Sequence, residues 1–424
     1  MASVWMRNLY TLIFNLALPL ILLRLYWRGR RAPAYRQRWR ERLACYRGES
    51  LQDVIWFHAV SVGEAEAAFP LIKLMRVRYP DARFLVTTTT PTGSTRVRAV
   101  LADSVEHVYL PYDLPPVLTR FFRHFRPRMA VFMEKEVWPN LFAACRQRAI
   151  PLYVINARLS ERSASAYRKI PWLIKPALDC ATMIATQTDE DRTRFVDIGA
   201  RDDRVMVLGN IKFDVDIAHA VIEAGQALRA ETFAGRFVWI LASTHHDEEA
   251  RLLPVYRELK QRIPELLLMI APRHPERFAP VEQLCKDQGL EVVVRSGHAP
   301  VTTTTDVYLA DSMGELKILY AASDVAFVGG SLVPVGGHNV LEPAAIGVPV
   351  LFGSQMFNFE EIAQQILAAK AALRCEDRQA IVEAVLKIHG DPRYRSALIA
   401  NAKDFVCRNQ GATGRIADEL ARAL

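Results

Sequence analysis

The residues in this chain that can do chemistry gather in short stretches after apolar, strand-like runs. In Ser61-Val62-Gly63-Glu64 a glycine turn leads into a helix, so Glu64 stands at a helix N-terminus and at a strand's carboxyl end. A helix dipole stabilises a carboxylate there, and such a group can take a proton from a hydroxyl as general base. Simple capping of the helix explains Glu64 equally well from spacing alone. In Met133-Glu134-Lys135-Glu136 a buried-looking strand ends in two acids, and Pro139 opens a helix. Acids at such a place are costly unless they are solvated, paired or used. Glu134 directly follows the strand and is the candidate; capping by Glu136 beside a solvated Glu134 is the alternative. Lys212, in Gly209-Asn210-Ile211-Lys212-Phe213-Asp214, falls where the first strand series ends. It can neutralise an acidic substrate, although standing alone it would read as a surface lysine.

A second group of stretches has the marks of a phosphate site. Pro272-Arg273-His274-Pro275 follows a strand, and its two prolines stiffen the turn that carries Arg273. A guanidinium held there suits bidentate contact with phosphate or carboxylate. Gly329-Gly330-Ser331 is followed by Gly336-Gly337-His338-Asn339-Val340-Leu341-Glu342, a glycine-rich loop that runs into a helix. Glycines let backbone approach a phosphate, and Glu342 is placed to bond a ribose hydroxyl. His338 by itself reads as structural. Ser243-Thr244-His245 follows a strand, and Asp311-Ser312-Met313-Gly314-Glu315 can cradle a nucleotide base. There is no HExxH, no Walker GxxxxGK[ST] run and no DxD motif where a nucleotide-sugar metal would sit, so neither a bound metal nor an ATPase is expected.

Such residues need strand ends to hold them. From Val54 onward, apolar runs alternate with amphipathic stretches: Val54–Ala59, Arg83–Thr88, His107–Leu110, Met129–Met133, Leu152–Ile155 and Met183–Thr186. After an irregular stretch, a second series runs through Phe237–Ala242, Leu266–Ala271, Glu291–Arg295, Val307–Ala310, Val325–Val328 and Pro349–Phe352. This is the pattern of βαβ units. It predicts an α/β protein with two doubly wound, Rossmann-like domains facing a cleft. The expected division is an anchor with basic flank over 1–30, a first domain over 31–212, a linker over 213–235 and a second domain over 236–424.

The charge balance adds a location. The first fifty residues hold ten arginines and two glutamates, which accounts for the whole net charge of +8 and leaves the remainder neutral. A nucleic-acid binder would spread that excess over a binding face. Here it flanks one apolar stretch, Asn8 to Leu23, with Trp5, Tyr10, Tyr26 and Trp27 as interfacial aromatics. A membrane anchor is predicted, with membrane lipids as partners and everything after it on the cytoplasmic side. A helix lying in the interface is the alternative to a span. The six cysteines are scattered without a CxxC pair, as in a reducing compartment.

Taken together, SVGE at Ser61–Glu64, EKEVWPN at Glu134–Asn140, GNIKFD at Gly209–Asp214, APRHPERF at Ala271–Phe278, DSMGEL at Asp311–Leu316 and GGHNVLEPA at Gly336–Ala344 resemble the 3-deoxy-D-manno-octulosonate (Kdo) transferases of lipopolysaccharide synthesis. The resemblance covers nearly the whole chain. It departs at Lys135, where a threonine is usual, which leaves open whether Glu134 or Glu136 acts. It implies a GT-B fold, the cell inner membrane, CMP-Kdo as donor and the lipid A precursor (lipid IVA) as acceptor. It further implies inversion at the anomeric centre with neither metal nor cofactor. Glu64 resembles the family's base, and Glu134 and Lys212 its transition-state-stabilising residues. Pro272, Arg273, Met313, Gly314, Glu315, Asn339, Val340, Leu341 and Glu342 match its CMP-contacting segments, with Gly336, Gly337 and His338 as phosphate-loop candidates. The rival readings are a UDP-sugar transferase or epimerase of the same fold, and a catalytically dead nucleotide-binding module.

Overall fold

Strands covered on both faces read as unbroken apolar runs, because a parallel sheet carries helices on each side. The computed structural model describes residues 2–424, with residues 2–4 and 31 in backbone only. The chain divides into two compact units, 1–214 together with 410–424, and 215–409.

The first unit holds seven strands: β1 (Val54–His58), β2 (Arg83–Thr88), β3 (Glu106–Tyr109), β4 (Met129–Met133), β5 (Leu152–Ala157), β6 (Met183–Thr186) and β7 (Val205–Val207). They lie in the order β3-β2-β1-β4-β5-β6-β7, and every pairing is parallel. β1 shows how residue type sets the layers. Val54 and Trp56 enter the core on one face, and Ile55 and Phe57 enter the core on the other. Trp56 is fully buried, with ring centroids of Phe121 and Phe132 at 4.6 and 5.2 Å. Burying such aromatic rings is the largest single contribution a side chain makes here, about 2–3 kcal/mol each.

The second unit repeats the plan with β8 (Phe237–Thr244), β9 (Leu266–Pro272), β10 (Val292–Val294), β11 (Val307–Leu309), β12 (Val325–Val328), β13 (Val350–Phe352) and β14 (Leu373–Arg374). Their order is β10-β11-β9-β8-β12-β13-β14, again parallel throughout. In each unit the winding direction reverses beside the first strand, between β1 and β4 and between β8 and β12. That reversal opens a crevice at the strands' carboxyl ends, where ligands bind in such sheets.

The structure departs from the sequence reading at the boundaries. Residues 213–235 are not an irregular linker: they contain the helix His219–Thr232 of the second unit. That helix crosses the helix Leu316–Ala321 so closely that a Cβ on Gly225 would sit 2.3 Å from Ala321 Cβ. The second unit also ends at Asn409, and the final helix, Ala412–Ala421, packs on the first. Its Ala412, Ile416, Ala417 and Leu420 join the core beneath the helix Val62–Arg78. Asp214 receives the backbone N–H groups of Gly411 and Thr413, capping that helix. β7 and β14, at the edges of their sheets, fall outside the apolar runs picked out in the sequence.

Asp214→Ala leaves those two N–H groups without their acceptor. The expected cost is about 1–2 kcal/mol. Amide exchange across Ala412–Ala421 is expected to rise about tenfold or more; unchanged protection would remove Asp214 as the cap.

Candidate active site

In the first unit, the loop after β1 and the turn after β4 lie on either side of the winding reversal. Ser61 caps the helix Val62–Arg78, its hydroxyl accepting from Glu64 N. Glu64 reaches back in return, and its Oε2 accepts from Val60 N at 2.7 Å. This is close to the reciprocal pattern of a capping box. The capping reading of Glu64 therefore holds, but it does not exhaust the residue. Burial pushes the Glu64 carboxyl up to about 8, against the Val60 N–H, with the negative neighbours Glu134 and Glu136 adding to the rise. A buried carboxylate with one donor is a strong base for its type.

Glu134 is 5% exposed and takes a left-handed backbone, φ 59°. A non-glycine residue there carries about 1–3 kcal/mol of strain, the kind held at functional turns. Its carboxylate meets Arg158 Nε at 3.1 Å and lies 3.9 Å from Lys212 Nζ. The structure thus brings Glu134 and Lys212 together across the sheet, whereas Lys135 points outward and Glu136 is half-buried. Burial also raises the Glu136 carboxyl. Arg158 escaped the sequence reading. It directly follows β5, so the criterion that singled out Glu134, a charge just past a buried strand, would have found it.

A chain of amides sets the Lys212 loop. Asn156 Oδ1 accepts from Ile211 N, and Asn156 O accepts from the Gln187 amide. Gln187 Oε1 accepts from Asn210 Nδ2, and Asn210 Oδ1 accepts from Lys212 N at 2.9 Å.

In the second unit the glycine pairs work differently from expectation. Gly336 and Gly337 both donate their N–H groups to Gly330 O, at 3.1 and 2.7 Å. Their positive φ values and lack of Cβ serve packing: a Cβ would meet Asn358 Nδ2 at 2.4 Å or Met356 Sδ at 2.2 Å. The first pair is also committed. The buried Glu248 carboxylate accepts from the N–H groups of His245, Gly330, Ser331 and Leu332. The groups left open at these strand ends are therefore side chains. His245 and His338 stack with Nε2 atoms 2.7 Å apart, and His274 sits edge-on to His245. Burial holds the His338 ring down to about 4, with His245, Arg273 and His274 adding positive field. Arg273 is exposed and makes no ion pair among the described residues. Pro272, ending β9, is buried behind it. Sequence reasoning named His245 but not its pairing with His338, and it missed Glu248.

The remaining candidates divide by exposure. Met313 is 53% exposed, and Gly314 turns the chain with φ 87°. Glu315 is bound to Arg295 through both oxygens at 2.9 Å, which pulls its carboxyl down to about 2. Val340 and Leu341 are core residues, so they offer a ligand only backbone. Asn339 Oδ1 accepts from Leu341 N. Glu342 is half-buried, its carboxyl raised by burial and held back by Lys317. Among the described residues no cluster of three metal-ligating side chains occurs.

Comparison with known proteins gives relatives of the chain and of its fold. A family model described as 3-deoxy-D-manno-octulosonic-acid transferase (kdotransferase) matches residues 37–215. The 3-deoxy-D-manno-octulosonic acid transferase of Haemophilus influenzae is 38% identical over 417 residues, covering 98% of both chains. The crystal structure of the C-terminal CMP-Kdo binding domain of WaaA from Acinetobacter baumannii is 38% identical, covering 45% of this chain and 99% of that one, with a TM-score of 0.43. UDP-GlcNAc 2-epimerase from Neisseria meningitidis, bound to UDP-GlcNAc, covers 88% of this chain and 100% of its own at a TM-score of 0.56. At 16% identity that last likeness is one of fold, the GT-B fold of two parallel-sheet domains.

Glu248→Gln sets an amide NH2 against two backbone donors. Amide exchange at Gly330, Ser331 and Leu332 is expected to quicken about tenfold or more, because a charged acceptor is worth about 1.5–3 kcal/mol. Unaltered exchange would mean that the loop holds itself.

Proposed function

The chain belongs to the 3-deoxy-D-manno-octulosonic acid transferase family and is a Kdo transferase, and we propose that it moves Kdo from CMP-Kdo to the lipid A precursor, lipid IVA, with inversion. Glu64 is the general base of this reading. The observation that carries it is the Glu64 carboxyl, pushed up to about 8 at a strand's carboxyl end.

The acceptor hydroxyl gives its proton to Glu64 as its oxygen bonds the anomeric carbon of Kdo. The bond from that carbon to the CMP phosphate oxygen breaks, and CMP leaves with the electron pair. Attack on the face opposite the departing phosphate inverts the centre. Lys212 and Arg158 carry the positive charge that a Kdo carboxylate requires, and Glu134 holds them in place. Arg273 is the cation that meets the phosphate, with the neutral His245–His338 pair beside it, and an oriented cation stabilises the developing charge. Every role in this scheme falls to the chain's own side chains, without metal or cofactor. The anchor helix keeps the protein at the cytoplasmic face of the inner membrane, where a phosphorylated, acidic lipid is met by the basic flank.

Glu64→Gln keeps an oxygen for Val60 N while removing the base, so it separates catalysis from capping. With CMP-Kdo generated in situ, lipid IVA as acceptor and EDTA present, wild type is expected to transfer Kdo and release CMP. The variant is expected to lose about 10²–10⁴-fold. Undiminished transfer by the variant would remove Glu64 as base, and loss of wild-type transfer to EDTA would remove metal independence.

The base must be ionised, so kcat/KM is expected to rise with pH and level off above about 8, falling about tenfold per unit below. A flat profile would overturn this assignment. Arg158→Ala is expected to lower kcat by about 10²–10³-fold, with CMP binding little changed. A loss confined to CMP affinity would move Arg158 out of the reaction.

A further inference from the structure

The N-terminal helix, Ala2–Arg31, is apolar on more than one face, and the two sides meet different surroundings. Met6, Tyr10, Phe14, Leu18, Leu22 and Leu25 recur at helical spacing and are half-buried. Phe14 and Leu18 pack on the core of the first unit, and the Phe14 ring lies 6.2 Å from that of Tyr112. On the other side Leu9, Leu12, Leu16, Leu20, Leu23 and Trp27 form a continuous exposed row, with Leu16 71% and Leu20 68% exposed. A row of that size facing water is unusual for a monomer and needs a cover.

Polar contacts fasten the helix near its beginning. Tyr10 Oη donates to Asp113 Oδ2 at 3.0 Å, and Asn140 Nδ2 donates to Thr11 Oγ1 at 2.9 Å. Asp113 and Asn140 are 1% and 5% exposed, and Asp113 also accepts from the N–H groups of Asn140 and Leu141. Near its other end Arg36 Nε donates to Tyr26 O, and the Arg36 guanidinium lies 4.1 Å from the centre of the Tyr26 ring.

A crossing helix is incompatible with both fastenings at once. Tyr10 and Tyr26 are sixteen positions apart, about 24 Å along the axis. If the helix crossed with its arginine-rich end in the cytoplasm, Asp113 and Asn140 would be drawn that far into hydrocarbon. A buried carboxylate is costly there even when it is hydrogen-bonded. The occupant of the exposed row is further limited by charge. No acidic residue precedes Glu41, and Arg24, Arg28, Arg30 and Arg36 are exposed along or just beyond the helix. Exposed Trp5, Tyr26 and Trp27 suit the headgroup region.

We propose that this helix lies in the plane of an anionic lipid surface, its exposed row immersed and its other side clamped along the first unit, and does not cross the bilayer. The proposal rests on the anchoring part of the reading above and gives it an orientation. It has a consequence for the reaction. Asn140, in the clamp, opens the helix Pro139–Gln147, directly after the Glu134 turn. The lipid-facing helix is thus bonded to the segment that carries Glu134, which sets that turn beside the surface holding a lipid acceptor.

The test uses the full chain in vesicles of phosphatidylethanolamine and phosphatidylglycerol, with the exposed Cys45 and Cys407 replaced by serine. Thr11→Cys with Asn140→Cys is expected to form a disulfide in the bound protein. Spin labels placed singly at Leu9, Leu16, Leu20 and Leu23 are expected to report depths within a few ångströms of one another. A span would spread them over about 20 Å. Depths spread in that way, with no disulfide, would overturn the proposal while leaving the anchor. A folded protein that ignores the vesicles would overturn the orientation and the anchor together. A doubled mass with the exposed row shielded in the absence of lipid would assign the row to a second copy and overturn the proposal.

Discussion

The governing constraint is the reversal of winding in each parallel sheet. Beside β1 and beside β8 the chain turns away in opposite directions, so the connections on either side part and leave a crevice at those strand ends. Both units answer with a glutamate in the first turn of the following helix. Glu64 turns back to Val60 N, and Glu248 turns back to His245 N. The two then diverge through the number of donors that reach them. Glu248 takes four N–H groups, fully buried, and becomes the fixed acceptor around which the Gly329–Leu332 loop folds. Glu64 takes one from the loop, sits among other carboxylates and holds its proton up to about 8. One local device therefore yields a structural anion in one unit and a basic one in the other.

The charges around these glutamates are sorted by unit. In the first, three acids, Glu64, Glu134 and Glu136, lie near the cations Arg158 and Lys212. In the second, the strand ends gather Arg273, His245, His274 and His338, while the nearby acids are already committed, Glu248 to backbone and Glu249 to Arg277. A surplus of donors with few open acceptors favours an anion. Proton removal and phosphate departure, the two halves of the proposed reaction, thus find opposite electrostatics. In such a scheme neither demand weakens the other.

The N-terminal helix is tied into the first unit as well. The clamp of Tyr10 on Asp113 shares its carboxylate with the start of the helix Pro139–Gln147, so the N-terminal helix is bonded to the segment that follows the Glu134 turn. The left-handed backbone at Glu134, φ 59°, is held by its carboxylate on Arg158 and its N–H on Ile155 O.

Much of this was legible in sequence because it depends on neighbours in the chain. Mostly apolar runs marked twelve of the fourteen strands, since a strand buried on both faces is largely apolar; β7 and β14 lie at sheet edges, where Met206, Val207 and Arg374 are exposed and that rule does not hold. Glu64, Glu134 and Lys212 stood out because each directly follows an element's end. The structure alone decided what depends on distant partners. Arg158 meets Glu134, the last helix finds Asp214 and leaves the second unit, and Gly336 and Gly337 spend their amides on Gly330 and not on a ligand. In each case residue type states what a group can bond, while the bond it makes is set by which atoms the packed sheets bring within about 3 Å. Spacing along the chain carries no trace of that distance.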